Sequence, residues 1–456
     1  MYRIAQRATK KRTTLHNRLL SVLYPNCLES RRITRYIPGK SIKKGRKRMT
    51  TKRKGSSFNS LNSKRQLESV FLFTTGKCNA KCVQCFYADD MAQKNEDLSF
   101  DEIKRLSETA GSIKRLWLSG GEPTLRKDLP EIIEMFYKNN GITDINIPTN
   151  AIMTDRLIEW IARLRKSCPE ANLTISVSMD GFGDTHDKQR GVESFYTTAA
   201  ALKRIDDHFG NDGRVLKNMA TVITKYNVAE VEDFVSWVYG RFNISTHTIE
   251  AARGNTREEG VKILTEKTMS EIQDRIAPFY LLYAKRIGAG MNFIGRGLTK
   301  FFYVGLYRSW FNMRVKNIDK PTCWGMDCTA GETSLVIDYD GRFRSCELRD
   351  PIGKVQNYGC DVQSIMSSAA MKKEIADVGH GYTANCWCTH GCWIMSSMNF
   401  NPKKMISMMI QGNRETKQLS KGRNVVPSEE TLRGFEAKYN LDRDKLEKIG
   451  IVKAAV

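Results

Sequence analysis

Several things are scarce in this chain of 456 residues, and each scarcity narrows the reading. There is no apolar run of the roughly 18 residues that a membrane-spanning helix needs. The N-terminus lacks the apolar segment of a secretory signal, since its longest such run, residues 19–24, is short and lies among charges. These absences predict a cytoplasmic protein, in whose reducing surroundings the 12 cysteines are expected to be metal ligands rather than a disulfide frame. Acid is nearly missing from residues 1–65, which hold 20 Lys and Arg against Glu29 alone, a net +19. The remaining 53 basic and 49 acidic residues leave +4, so the total of +23 belongs mainly to that segment. No internal repeat is present.

With 41% hydrophobic and 27% charged residues, the chain can build a sizeable core, and a wholly disordered chain is excluded. The basic segment is different. Residues 40–54 (KSIKKGRKRMTTKRK) repel one another and have little to bury, so the sequence predicts disorder there. Such a segment fits nucleic acid, an anionic membrane surface or an acidic partner. It also has the Arg-rich, acid-poor character of a transit peptide, and a plain solubilising extension fits equally well.

From residue 67 onward, strand and helix patterns alternate. Strands are expected at 69–74, 116–118, 145–147, 173–179, 215–223 and 244–249, with helices at 100–109, 128–139, 155–165, 195–208 and 231–239. This alternation predicts an α/β fold with a parallel sheet and right-handed crossovers, in the form of an open, partial TIM-like barrel. In such sheets ligands sit at the carboxyl ends of the strands. Residues 253–322 are expected to form a helical, aromatic-rich connection, with 293–311 either core or cavity lining. The Cys-rich stretch 323–412 is expected to be a small domain stapled by metal, and 413–456 a helical tail with caps near Ser428 and Asp442.

The first cysteine group, Cys78-Asn-Ala-Lys-Cys82-Val-Gln-Cys85, directly follows the first strand. No His or further Cys occurs in the next eighty residues, so a local four-ligand zinc finger is excluded. A 4Fe-4S cluster held by three cysteines keeps one iron open for a small molecule. Around the same rim, Ser119-Gly120-Gly121-Glu122-Pro123 ends the second strand and offers close backbone approach and a carboxylate for an ammonium group. Thr149-Asn150 ends the third strand, and Ser176-Val-Ser178-Met-Asp180-Gly181 ends the fourth.

These residues resemble the radical S-adenosylmethionine (SAM) superfamily. The resemblance rests on Cys78, Cys82 and Cys85, on Gly120–Pro123 and on Ser176–Gly181, and covers about residues 67–251. It implies a (β/α)6 barrel over 67–252 in which the three cysteines hold a 4Fe-4S cluster and S-adenosyl-L-methionine chelates the open iron. It implies that Gly120, Gly121 and Glu122 contact the methionine amino group, with Asn150, Ser178 and Asp180 completing the cofactor-binding set. The family often has an aromatic residue just before the third cysteine. This chain has Gln84 there, with Phe86-Tyr87 following.

A second constellation comprises Cys328, Cys346, Cys386, Cys388 and Cys392, with Cys323 beside it and Cys360 farther off. Residues 335–344 read as a β-hairpin turning at Asp340-Gly341. This arrangement resembles the SPASM/twitch extension of radical SAM proteins and implies one auxiliary 4Fe-4S cluster. Its ligands would be Cys328, Cys346, Cys388 and Cys392, with Cys386 or Cys323 as substitutes. Four clustered thiolates also suit zinc, and His380 and His390 leave a mixed site open. Arg253-Gly254-Asn255, after the sixth strand, suits either a contact to substrate or SAM or a turn with a helix cap.

The resemblance implies an enzyme that cleaves SAM reductively to a 5′-deoxyadenosyl radical and abstracts a substrate hydrogen, with a flavodoxin or ferredoxin as electron donor. A peptide or protein substrate is the first expectation. A lipid or small molecule at a membrane surface is the second, and a non-catalytic nucleic-acid-binding iron–sulfur protein is a third.

Overall fold

The structure is a computed structural model that describes residues 65–320, 322, 324–379, 386, 388–422 and 425–452. The expectations for residues 1–64, Cys27, Cys323 and His380 lie outside the described residues.

Nine strands form one sheet in the order β6-β5-β4-β3-β2-β1-β7-β8-β9. β1 (Ser69–Phe73), β2 (Arg115–Ser119), β3 (Asp144–Thr149), β4 (Asn172–Ser178), β5 (Val215–Ile223) and β6 (Thr246–Ala251) pair in sequence order, all parallel. Crossover helices connect them, and two unpaired ends leave the barrel open, as the alternation predicts. One example shows how local chemistry sets a boundary. The Phe100–Thr109 helix starts at Ser99, whose hydroxyl accepts the Glu102 N–H while the Glu102 carboxylate accepts the Ser99 N–H.

The hairpin lies elsewhere than the sequence reading placed it. β7 (Ser334–Ile337) pairs in parallel with β1 across Ser69↔Ser334 to Leu72↔Ile337. β8 (Arg342–Arg344) and β9 (Gly353–Lys354) then continue antiparallel. The hairpin therefore extends the barrel sheet. Its turn residue Gly341 has φ 86°, a value glycine adopts without strain.

Side chains alternate across this sheet and divide its two faces. Val70, Leu72, Leu116, Leu118, Leu335 and Ile337 point outward into the large core beneath the helices. Phe71, Phe73 and Val336 point inward and join Trp310, Trp324, Met326, Cys328, Cys346 and Trp393 in a second core. Phe71 stacks on Trp117 at 5.6 Å and meets Trp393 at 5.1 Å. The C-terminal region thus fills the inner side of the barrel at its β2-β1-β7 end. At the opposite end the inner face is polar. Asn146, Ser176, Asn218, Thr246 and Thr248 form a ladder of hydrogen bonds of 2.6–3.2 Å across β3 to β6.

Three further helices complete this side: Glu266–Ile287, Phe293–Val315 and Pro402–Leu419. The last two pack through glycine. A Cβ at Gly305 would overlap the Met408 carbonyl, and one at Gly412 the Phe301 carbonyl. The aromatic stretch proves mostly core, with Phe302, Trp310 and Phe311 buried, while Phe293 is 83% exposed. No described helix is long and apolar enough to cross a membrane.

Candidate functional site

Neighbouring backbones pin the loop carrying Cys78, Cys82 and Cys85 in place. Gly121 N donates to Thr75 O at 2.7 Å and Glu122 N to Lys77 O at 2.8 Å. Lys81 N and Val83 N donate to Arg190 O and Gln189 O, each at 3.0 Å. From the β6 side, Arg257 N reaches Cys85 O and Glu258 N reaches Val83 O. Strand ends β2, β4 and β6 therefore all hold one loop at the carboxyl rim. The two glycines serve that approach. A Cβ at Gly121 would overlap the Lys77 carbonyl oxygen, and one at Gly120, whose φ is 127°, would lie 2.7 Å from Thr75 O.

The thiols act on one another. Burial beneath the loop, with Cys82, Glu122 and Cys85 close by, pushes the Cys78 thiol up to about 11, although the residue is exposed at the loop tip. Burial and the nearby Cys82 likewise raise Cys85. Arg190 Nη1 lies 3.7 Å from Cys82 Sγ and brings positive charge. Thiols held protonated by their own crowding fit a cluster whose irons supply the compensating charge. Among the described residues no three Cys, His, Asp or Glu side chains converge as ligands of a single ion. A four-iron cluster does not require that convergence.

Two carboxylates that the resemblance assigns to the cofactor have partners within the chain. Glu122 does not open to the rim. Its oxygens accept from Thr124 N, Thr124 Oγ1, Thr149 Oγ1 and Asn150 N at 2.7–3.1 Å, so the carboxylate ties the end of β2 to that of β3. Burial pushes this carboxyl upward against those hydrogen bonds. Asp180 is 1% exposed and equally committed, to Val222 N and Gln84 Nε2 at 2.8 Å and to Arg190 Nε at 2.7 Å. Gln84, where the family often has an aromatic residue, is thus an anchor for Asp180. Asn150 is buried, its amide on Asn79 Oδ1 at 2.7 Å and Ile152 N at 3.0 Å. Ser178, half-buried at the end of β4, keeps its side chain toward the barrel interior.

In the second group, Cys328 and Cys346 are buried, while Cys386, Cys388 and Cys392 are half-buried. Burial, followed by Cys388 and Cys386, pushes Cys328 up to about 12. Burial, then Glu347, Cys388 and Cys328, holds Cys346 well above the ordinary range. Cys388 is pushed up to about 11 by burial and then by Cys386. Cys392, raised to about 12 by burial, responds instead to Glu347, Glu250, Arg253 and Arg314. Cys328, Cys346, Cys386 and Cys388 thus lie close enough to act on one another. His390 lies with its Nε2 2.7 Å from Glu347, and its Nδ1 has no hydrogen-bond partner among the described residues. Cys360 lies apart, its carbonyl against Thr109, and Cys168 is fully buried in the large core.

Arg253 pairs with Glu250 and with Glu347 at 3.0 Å, while its Nε has no hydrogen-bond partner among the described residues. The residues missed from sequence, Arg190 and Glu347, were hidden because their partners are distant along the chain. Arg190 had a faint signal in Gly191, which closes the Gly183–Arg190 helix with φ 65°.

Comparison with known proteins agrees with this construction. The family model of the Radical SAM superfamily matches residues 72–238, from within β1 into the helix after β5. Residues 72–238 thus carry the match to that superfamily, and the fold around them is an open, partial barrel. Among curated proteins it is 34% identical to Fe-coproporphyrin III synthase of Methanosarcina barkeri over 161 residues, 34% of this chain and 37% of that protein. It is 24% identical to GTP 3′,8-cyclase of Clostridium botulinum over 219 residues, 46% of this chain and 66% of that one. The chain thus spans less than two thirds of either relative. Among solved structures, Streptococcus suis SuiB bound to S-adenosylmethionine covers 69% of this chain and 68% of its own at 14% identity and a TM-score of 0.44.

Proposed function

We propose that this chain is a radical SAM enzyme that abstracts a hydrogen atom from a peptide or protein. The supporting observation is the division of the barrel interior. On the β3–β6 side the inner face is uncharged: Asn146, Ser176, Asn218, Thr246 and Thr248 bond one another with Ser178 beside them, and only their remaining donors and acceptors are left for amide and hydroxyl partners. The opposite wall is aromatic. Three arginines near the rim are spent on partners within the chain, Arg190 on Asp180, Arg253 on Glu250 and Glu347, and Arg314 on the Thr389 and Ile249 carbonyls, while Arg257 beside Cys85 stays exposed. This favours a neutral polar group over the polyanions that the relatives' names suggest.

A 4Fe-4S cluster on Cys78, Cys82 and Cys85, with S-adenosyl-L-methionine at its open iron, supplies homolytic cleavage to methionine and a 5′-deoxyadenosyl radical. The residues of the chain do the rest. Backbone at Gly120 and Gly121 holds the cysteine loop against the rim, Glu122 and Asn150 lock the β2 and β3 ends, and the Asp180–Arg190–Gln84 triad braces the loop from β4. Ser178 is the proposed hydroxyl contact to SAM. Cys328, Cys346, Cys388 and Cys392, with Cys386 as a substitute, are the proposed ligands of a second 4Fe-4S cluster, and a flavodoxin- or ferredoxin-type protein the reductant.

The test is anaerobic incubation of reconstituted enzyme with SAM and dithionite, assaying 5′-deoxyadenosine. Production should be abolished by Cys78→Ala, Cys82→Ala or Cys85→Ala. A single variant with near wild-type output would overturn the assignment. Adding candidate peptides, anionic lipids or nucleotides then separates the substrate classes. Peptide-dependent transfer of hydrogen to 5′-deoxyadenosine is expected, and transfer only from lipid or nucleotide would overturn the peptide reading.

A further inference from the structure

We infer that Arg253 is a positioning residue that joins the two cysteine groups and sets the charge environment of the second. The inference rests on the reading above that the second group holds a 4Fe-4S cluster. Arg253 leaves the carboxyl end of β6 and reaches residues flanking both groups. Its guanidinium lies 5.4 Å from the ring centre of Phe86, the residue after Cys85. Its Nη2 is 3.0 Å from Glu347, the residue after Cys346. Glu347 in turn meets His390 Nε2 at 2.7 Å, and His390 N donates to Cys388 Sγ at 3.4 Å. Arg253 and Arg314 both hold Glu250, at the end of β6, and both act on Cys392.

Every charged member of this group is largely buried. Side-chain exposure is 16% for Arg253, 15% for Glu250, 8% for Glu347, 4% for Arg314 and zero for His390. Buried charges this close interact strongly because little water screens them. Burying them is costly, and core packing alone would be served by apolar residues. What the arrangement accomplishes is fixed geometry: one planar fork holds Glu250 and Glu347 while its face meets Phe86. It also places opposite charges beside the second thiol group. A cation there stabilises the reduced, more negative cluster, and a carboxylate opposes reduction.

The two charges therefore make opposite predictions. In full-length protein carrying Cys78→Ala, Cys82→Ala and Cys85→Ala, reconstituted anaerobically, only the second cluster should remain, with about four iron atoms against about eight in the wild type. Its reduction potential is read by a spectroscopically monitored titration. Arg253→Met should lower the potential and Glu347→Gln should raise it, while Arg253→Lys should return it toward the parent value. Potentials that stay put, or that move in the same direction in both variants, would overturn the inference. If Arg253→Met fails to hold iron, Glu347→Gln and Arg253→Lys decide in the same way. A parent triple variant without iron would instead overturn the second-cluster reading, and this inference with it.

Discussion

A methyl group added at Gly121 would overlap the Lys77 carbonyl, because the end of β2 lies directly under the cysteine loop. At Gly434, in the exposed Glu429–Lys438 helix, the same methyl would meet nothing within 4 Å. Gly121→Ala should therefore cost the first cluster's iron and SAM cleavage while sparing the second cluster. Gly434→Ala should raise stability by about 0.5–1 kcal/mol through helix propensity. Iron analysis and thermal melting check both, and a Gly121→Ala protein with full iron and activity would show that the loop can yield. Glu230 carries a pH prediction. It accepts from Phe182 N at 2.9 Å and Thr185 Oγ1 at 3.0 Å, and burial pushes its carboxyl from 4.5 up to about 7. The folded protein thus binds this proton more tightly than the unfolded chain does. Its stabilising contribution is complete below about 4.5 and is lost as pH rises through about 7. Melting should show wild type losing stability across that window, and Glu230→Gln should flatten that part of the profile. An identical slope in the variant would assign the effect elsewhere. Neither residue's role was legible in the sequence. Gly120-Gly121 was legible as a place of close approach, but the approaching group is the cysteine loop rather than only a ligand, and no spacing rule announces that Glu122 will be consumed by Thr124, Thr149 and Asn150.

At the scale of elements, what periodicity encodes was readable and what long-range pairing encodes was not. The 100–109 helix and the 215–223 strand appear with the expected bounds, because a capping box marks the first and a long run with turn residues the second. The Gly183–Arg190 helix was missed, since Gly-Asp-Thr-His-Asp-Lys-Gln-Arg has no apolar stripe. The joining of β7 to β1 was missed for a different reason. The strands are separated by more than two hundred residues, and a hairpin pattern reveals its own pairing but not the sheet edge it will join. The contact between the Phe293–Val315 and Pro402–Leu419 helices is a third such case and yields a test. Gly305 and Gly412 bring the two backbones together, so Gly412→Val should force them apart and destabilise by about 1–3 kcal/mol. Denaturant unfolding measures this, and a change of under a few tenths of a kcal/mol would mean the helices separate freely.

Across the whole molecule, charge and structure are distributed differently. Residues 1–64 hold 19 Lys and Arg against Glu29, a net +18, and none of the thiols in the two cysteine groups. Arg65 is the first described residue and is already part of the fold, bonded to Glu332 at 2.5 Å and to Asp327 at 2.9 Å. A chain starting at Arg65 keeps these ion pairs, β1 and the cysteine loop, so it should retain about eight iron atoms and 5′-deoxyadenosine production without substrate. Binding to acidic partners or anionic vesicles should weaken in that truncation. In full-length protein the same binding should fall with salt, because exposed charges are screened beyond about 8–10 Å at physiological ionic strength. A second truncation, removing Arg65 as well, isolates the ion pairs. It leaves two carboxylates beside β7 without this guanidinium, and should melt lower than the chain that keeps Arg65. If the chain starting at Arg65 already lost iron or stability, residues 1–64 would be structural. If both truncations matched full-length protein in vesicle binding and salt response, the basic segment would have no capture role, and the +4 body would account for all binding.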